Sequence, residues 1–184
     1  DVYKRQMLRR VFHHTVRMMV EEMNRFPLFS RAGAFPVNKR SPQEAMKSLK
    51  YAIDDLGQNP DHGLWIFPQG IIKPPNYRPF EFQTGMTYIA EKVAQKYGAI
   101  NMVPIAVAFA FLREDSPEVL VEVGQPITLT REDVKNLNRH EFTHKLEKEF
   151  TELCDNQLKN ISQGNFTGYR HLFLRKLHWY RRLE

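Results

Sequence analysis

The sequence is short of the features that would settle its class at once. It has one cysteine, Cys154, in 184 residues. That excludes an internal disulfide and fits a reducing compartment, and a small apolar residue on a helix is its plainest role. Long apolar runs are also missing. The longest, Val103 to Leu112, has ten residues, against the roughly 20 that a membrane-spanning helix needs. Asp1 to Gln6 is polar and charged, which excludes a signal peptide there. It has no initiator Met, so residues 1–6 read as an extraneous leader, with the natural N-terminus missing. Acidic residues stop early, with none between Asp155 and Glu184.

What is present describes a folded, cation-rich domain. A hydrophobic content of 42% and an aromatic content of 12% exclude a disordered chain, and the length suits one domain with a real core. The formal charge of +6 favours an anionic partner: a membrane surface, a nucleic acid or a phosphorylated small molecule.

The chain is organised around Leu64-Trp65-Ile66-Phe67-Pro68-Gln69-Gly70. Strand-favouring apolar residues run into Pro-Gln-Gly, which stops a strand and opens a loop. The loop to Gln83 holds Pro74, Pro75 and Pro79, and Thr84-Gly85 opens a helix. A buried strand ending in a glycine loop that faces a helix start is where an open α/β protein binds its ligand.

The remaining elements follow in order. Leu8, Phe12, Val16, Met19, Val20 and Met23 recur at three- and four-residue spacings, so Met7 to Arg25 reads as an amphipathic helix. Residues 31–38 read as a short strand with Gly33 at its entry. Ser41-Pro42-Gln43-Glu44 predicts a helix opening on a capping box, running to about Gln58. A helix from Thr84 ends at Gly98. The apolar run Ala99 to Leu112 reads as a strand covered on both faces, with Pro104 at its start. Val119 to Val123 is a further strand, antiparallel. Thr130 opens a helix, and a long amphipathic one runs from about Arg139 to Asn160. The expected class is α/β: a central, mostly parallel sheet flanked by helices in a single domain. In the tail, Phe166, Tyr169, Phe173, Trp179 and Tyr180 alternate with Arg170, Arg175, Lys176, Arg181 and Arg182. That pattern suits an anionic lipid interface, a nucleic acid or an ordinary packed helix.

Phe67, Pro68 and Gly70 resemble the Phe-Pro-Glu-Gly-Thr-Arg-Ser motif of the glycerolipid (lysophospholipid) acyltransferases, with Gln69 at the Glu position and Ile71, Ile72 and Lys73 in place of Thr-Arg-Ser. Gly33, Val37, Asn38 and Lys39, with Arg40 beside it, resemble the preceding motif, Gly-x-x-Phe-Ile-Asp-Arg. Val103-Pro104-Ile105 resembles the following one. The three motifs stand in the family's order across roughly residues 20 to 126. The resemblance implies an acyltransferase that moves a fatty acyl group from acyl-CoA or acyl carrier protein to a hydroxyl of a lipid-like acceptor. It implies no metal and no cofactor beyond that thioester co-substrate, and a cytoplasmic enzyme peripheral at the membrane, with nucleic acid the less favoured partner. Lys39, Arg40, Lys73 and Arg78 become candidates for phosphate binding. Phe67, Pro68, Gln69, Gly70 and Pro104 become candidates for lining the substrate site. Residues 7–130 would form the acyltransferase domain and residues 131–184 a C-terminal helical extension with a basic-aromatic tail.

The family's catalytic base comes from an Asn-His-x-x-x-x-Asp motif. None of the seven histidines here has Asp five residues later; His13, His14 and His62 are followed there by Met18, Met19 and Phe67. The catalytic pair is absent from this chain, through truncation or true loss, and the chain alone is expected to be inactive. Two other readings are open: a non-catalytic basic module binding anionic membrane or nucleic acid, and a zinc hydrolase. The latter rests on His140-Glu141-Phe142-Thr143-His144, whose His pair shares a helix face but sits between polar flanks.

Overall fold

A computed structural model describes residues 15–21, 33–38, 40–71, 73–74, 77–112 and 117–170. Seven strands and four helices lie among them, in an α/β arrangement. β1 (Thr15–Val20), β2 (Ala34–Pro36) and β3 (His62–Trp65) form a parallel sheet in the order β2-β1-β3. β4 (Ala99–Met102) pairs antiparallel with β7 (Ile127–Thr130), and β5 (Ile105–Ala110) antiparallel with β6 (Glu118–Val123). The helices are α1 (Pro42–Gln58), α2 (Gly85–Tyr97), α3 (Arg131–Val134) and α4 (Arg139–Ser162).

The first correction is the largest. The segment expected as a helix over Met7 to Arg25 contains β1, the central strand of the parallel sheet, followed by a turn at Glu21; its other parts lie outside the described residues. The helical spacing of Val16, Met19 and Val20 is shared by a strand that is half-buried on both faces. Met19 packs towards α1, while Val16, Met18 and Val20 alternate to the other face. A short apolar run cannot separate the two periods.

The parallel sheet packs one face on α1 and α2. Ala52, Ile53, Ile89 and Val93 form the buried cluster, with Met19 of β1, Phe35 of β2 and Leu64 of β3 against it. α1 and α2 run side by side in the same direction: Lys96 donates to Asp54 at 2.8 Å near both C-termini, and the Tyr97 ring covers Gly57. A Cβ on Gly57 would stand 2.1 Å from that ring. α4 crosses α2 through a buried contact between the Thr87 and Thr143 hydroxyls at 2.8 Å, and Arg139 donates to Glu91 at 2.6 Å. Burial pushes the Glu91 carboxyl up, but the hydrogen bonds from Arg139 and Lys92 outweigh it and leave the group below the usual range.

At the N-terminal ends of the strands one carboxylate joins three elements. Asp55 of α1 accepts from Arg17 of β1 at 3.2 Å and contacts His62 Nδ1 of β3 at 3.0 Å. Its side chain is nearly buried, so both partners hold a charge that would be costly alone.

The run Ala99 to Leu112 is two strands in two sheets, divided at Val103-Pro104. Pro104 stands immediately before β5, as expected. The run is not covered on both faces. Ala106 and Leu120 are buried on one side of the β5–β6 pair, where α4 packs, whereas Phe109 and Phe111 are 63% and 72% exposed. An antiparallel pair with a helix on one side leaves its alternate residues bare. The capping box at α1 is half formed. Ser41 Oγ accepts from Glu44 N–H, but the Glu44 carboxylate bonds the Asn38 amide at 2.6 Å. The complete box is at α3, on Thr130 and Asp133.

Gly57→Ala is expected to destabilise the fold by about 1–2 kcal/mol through overpacking, although Ala is the better helix former by about 1 kcal/mol. Urea unfolding checks this; a stabilised variant would mean that Tyr97 moves aside at no cost. Asp55→Ala should cost about 2–3 kcal/mol by stranding two charge-assisted partners, read by the same measurement.

Candidate functional site

Parallel strands finish at one edge, and the register fixes which residues meet there. Val20 is opposite Pro36, and Met18 is opposite Trp65. Continuing the second register along β3 sets Phe67 level with Val20. The ends of β2 and β3 therefore flank β1 at a separation of about 10 Å, two strand spacings. Ser41, the N-cap of α1, follows β2 by a short turn, and α2 begins after the loop that leaves β3. Both helix N-termini thus open towards this edge and favour negative charge there.

The glycine turn is at the surface. Gly70 has φ +70° and its N–H bonds Phe67 O at 3.2 Å; a positive φ is where glycine is needed. Phe67 and Ile71 are 58% and 62% exposed, so the turn is open to a ligand rather than packed in the core. Gln83 N–H donates to Pro68 O at 2.8 Å, which draws the start of α2 against the turn. Pro68 and Gln69 are half-buried beside it.

The loop from Gly70 to Thr84 is held from α4. Both Glu147 oxygens accept backbone N–H groups, from Glu81 at 2.8 Å and Phe82 at 3.2 Å. Phe80, Phe82 and Phe150 pack together, with centroids 5.0–6.1 Å apart. Glu81 has φ 58°, a conformation that costs a non-glycine residue roughly 1 kcal/mol or more, and the Glu147 carboxylate offsets it.

The candidate residues divide accordingly. Phe67, Pro68, Gln69 and Gly70 form the turn, and Arg40 lies exposed at the β2 side of the same edge, its N–H on Asn38 Oδ1 at 3.0 Å. Lys39 lies outside the described residues. Lys73 and Arg78, expected as phosphate ligands, have carboxylate partners. Lys73 pairs with Glu81 beneath the Tyr77 ring, and that hydrogen bond holds its amine above the usual range. Arg78 donates to Asp155 of α4 at 2.7 Å and stacks on Phe80 at 4.0 Å. Here they fasten the loop. Pro104 accepts from Gly124 N–H at 2.9 Å and packs against that glycine, so its contacts run to the end of β6. Sequence reasoning missed Glu147, because a glutamate on an amphipathic helix carries no sign of the two N–H groups it caps.

Two other reactive groups are accounted for. Burial pushes the Cys154 thiol up to about 11, so it stays protonated at neutral pH and is a poor nucleophile. In the His-Glu-x-x-His stretch the intervening Thr143 is buried and Phe142 half-buried, which turns His140, Glu141 and His144 to solvent. Glu141 accepts from Asn138 at the helix cap, and among the described residues no group of three potential metal ligands forms. No helix among them is long and apolar enough to cross a membrane.

A family model described as Acyltransferase matches residues 4–108, more than half of the chain, and the chain belongs to that family. Comparison with curated proteins and with solved structures gives no match.

Glu147→Ala should leave the Glu81 and Phe82 N–H groups without their acceptor. The expected cost is about 1–3 kcal/mol, with faster proteolysis between residues 70 and 83. Thermal denaturation and timed limited proteolysis check both effects; an unchanged cleavage rate would remove Glu147 as the loop's anchor.

Proposed function

We propose that this domain binds the substrates of an O-acyl transfer, from an acyl thioester to a hydroxyl of a lipid-like acceptor, at a membrane surface. The observation that carries the reading is the open glycine turn at the end of β3, placed against the start of α2. Acyl transfer needs positive polarity at a developing oxyanion; the Gly70 N–H is bonded to Phe67 O within the turn, and the N-terminus of α2 beside it favours negative charge at that edge. The acceptor would enter from the Arg40 side of the same edge.

The apolar turn argues for a larger, less charged acceptor than glycerol 3-phosphate. Gln69 carries no carboxylate charge, Ile71 has no hydroxyl or guanidinium to offer, and Lys73 and Arg78 already have acidic partners. Exposed Phe109 and Phe111, together with the basic-aromatic tail, support a peripheral position on lipid. The transfer also needs a base for the acceptor's proton, and the sequence has no His-x-x-x-x-Asp pair. The chain by itself therefore binds without turning over.

The test is acceptor-dependent release of free thiol from acyl-CoA and from acylated carrier protein. The purified 184-residue chain should show none, and turnover would place the base among its own residues. In a form that carries the His–Asp pair, a glycolipid or other neutral lipid alcohol should be the preferred acceptor. Glycerol 3-phosphate as the best acceptor would reject the acceptor assignment.

A further inference from the structure

A second concave surface lies outside the glycine turn. The seam between α1 and α2 opens into a groove of about 510 Å³, within the range of small-ligand sites. Four lysines line it: Lys47 and Lys50 from α1, Lys92 and Lys96 from α2. Asp54 is the sole carboxylate in the lining, and Met46 and Tyr88 supply apolar surface. Asp54 is taken by Lys96 at 2.8 Å, and that hydrogen bond holds its carboxyl below the usual range. Lys92 lies 3.3 Å from Glu91 and donates to Gln95 at 3.0 Å. Among the described residues neither Lys47 nor Lys50 forms an ion pair, although the Lys50 charge also acts on Asp54. The groove therefore keeps a surplus of positive charge on a half-apolar wall.

Its direction relates it to the turn. Gln43 and Tyr88 line the end at the helix N-termini, and Asp54 and Lys96 the far end. The start of α2 is tied to the turn through Gln83 and Pro68. At 1.5 Å per residue, Lys92 stands about 12 Å along α2 from Thr84, and the α1 wall runs about 16 Å from Gln43 to Asp54. A ligand with its phosphates among the lysines could thus extend a flexible arm back to the glycine turn.

We propose that this groove holds the phosphorylated nucleotide of coenzyme A, which makes the acyl donor a coenzyme A thioester rather than a carrier protein. The inference rests on the acyl-transfer reading for its donor, and on the charge of the groove for its ligand. The phosphates meet Lys47, Lys50 and Lys92, and the base lies on the Tyr88 and Met46 side. A carrier protein presents a single phosphate on a convex surface, and most of the groove would go unused.

The test is calorimetric titration of the 184-residue chain with coenzyme A, with adenosine 3′,5′-bisphosphate and with pantetheine, which lacks the nucleotide. Coenzyme A and the bisphosphate should bind, with affinity falling as salt rises, and pantetheine should not compete. Lys47→Gln combined with Lys50→Gln should weaken both ligands at least about tenfold, two screened charge contacts, with the unfolding midpoint unchanged. Lys92→Gln serves as a second, independent variant. Affinities within twofold of the parent, or no binding of either ligand, overturn the proposal. So does binding to phosphatidylglycerol vesicles that the lysine variants abolish while coenzyme A fails to bind, since that assigns the groove to the bilayer. None of these measurements needs turnover. In a form that carries the His–Asp pair, acyl transfer with an unchanged KM for acyl-CoA in the lysine variants would sink the groove and leave the activity standing. Lysine-dependent coenzyme A binding in a form that carries that pair but transfers no acyl group to any lipid alcohol would do the reverse.

Discussion

Parallel pairing of three short strands is the constraint on which the site depends. Because β2, β1 and β3 run the same way, each must return by a crossover, and every strand delivers its C-terminal end to one edge. α1 is the crossover from β2 to β3, passing over β1 in sheet order. Its N-terminus starts at that edge, and so does that of α2. Two helix dipoles, a glycine turn and the Asn38–Arg40 turn meet there without any one of them being encoded as a site. A slip of β1 by one residue would turn Arg17 and Met19 away from α1 and break both the Asp55 cluster and the core packing.

The second constraint is imposed from outside the sheet. The loop after Gly70 has no ladder of its own, and its backbone groups need partners. α4 supplies them through Glu147, Phe150 and Asp155. The same helix is fixed to α2 by Thr143 and Arg139. The turn, the described part of the loop and the helix that follows it are therefore all tied, directly or through one another, to α4. The arrangement also uses up the charges of Lys73 and Arg78, which moves the available cationic surface to Arg40 and to the α1–α2 groove.

Much of this was legible in the residues. Pro68-Gln69-Gly70 marked the turn, Ser41-Pro42 and Thr84-Gly85 marked helix starts, and Gly98 marked a helix end, because caps and turns are chosen by local backbone chemistry. Failures came where the partner is distant. Thr15 to Val20 has helical spacing and became a strand because β2 and β3 pair along both of its edges and Met19 packs on the α1–α2 cluster. Ile127 to Thr130 was too short to register. The run from Ala99 to Leu112 looked like one buried strand, but Pro104 splits it and nothing described covers Phe109. Cations were the least legible. Sequence shows that Arg78 is near a turn, and only the fold shows Asp155 beside it, 77 positions away.

The structure does contain a histidine oriented by a carboxylate, His62 with Asp55, and its position shows why such a pair alone is not a general base. His62 opens β3, whereas the glycine turn follows the end of that strand. From His62 to Phe67 an extended chain covers about 17 Å, and His62 and the turn sit at opposite edges of the sheet. Asp55 is also shared with Arg17 and bonded by Asn59, so its charge is already committed to joining β1, β3 and α1. A base must reach the proton it removes, and strand direction puts this one beyond reach of any acceptor at the turn. The same parallel order that gathers the candidate binding groups at one edge thus places the chain's own His–Asp pair at the other, where it joins β1, β3 and α1.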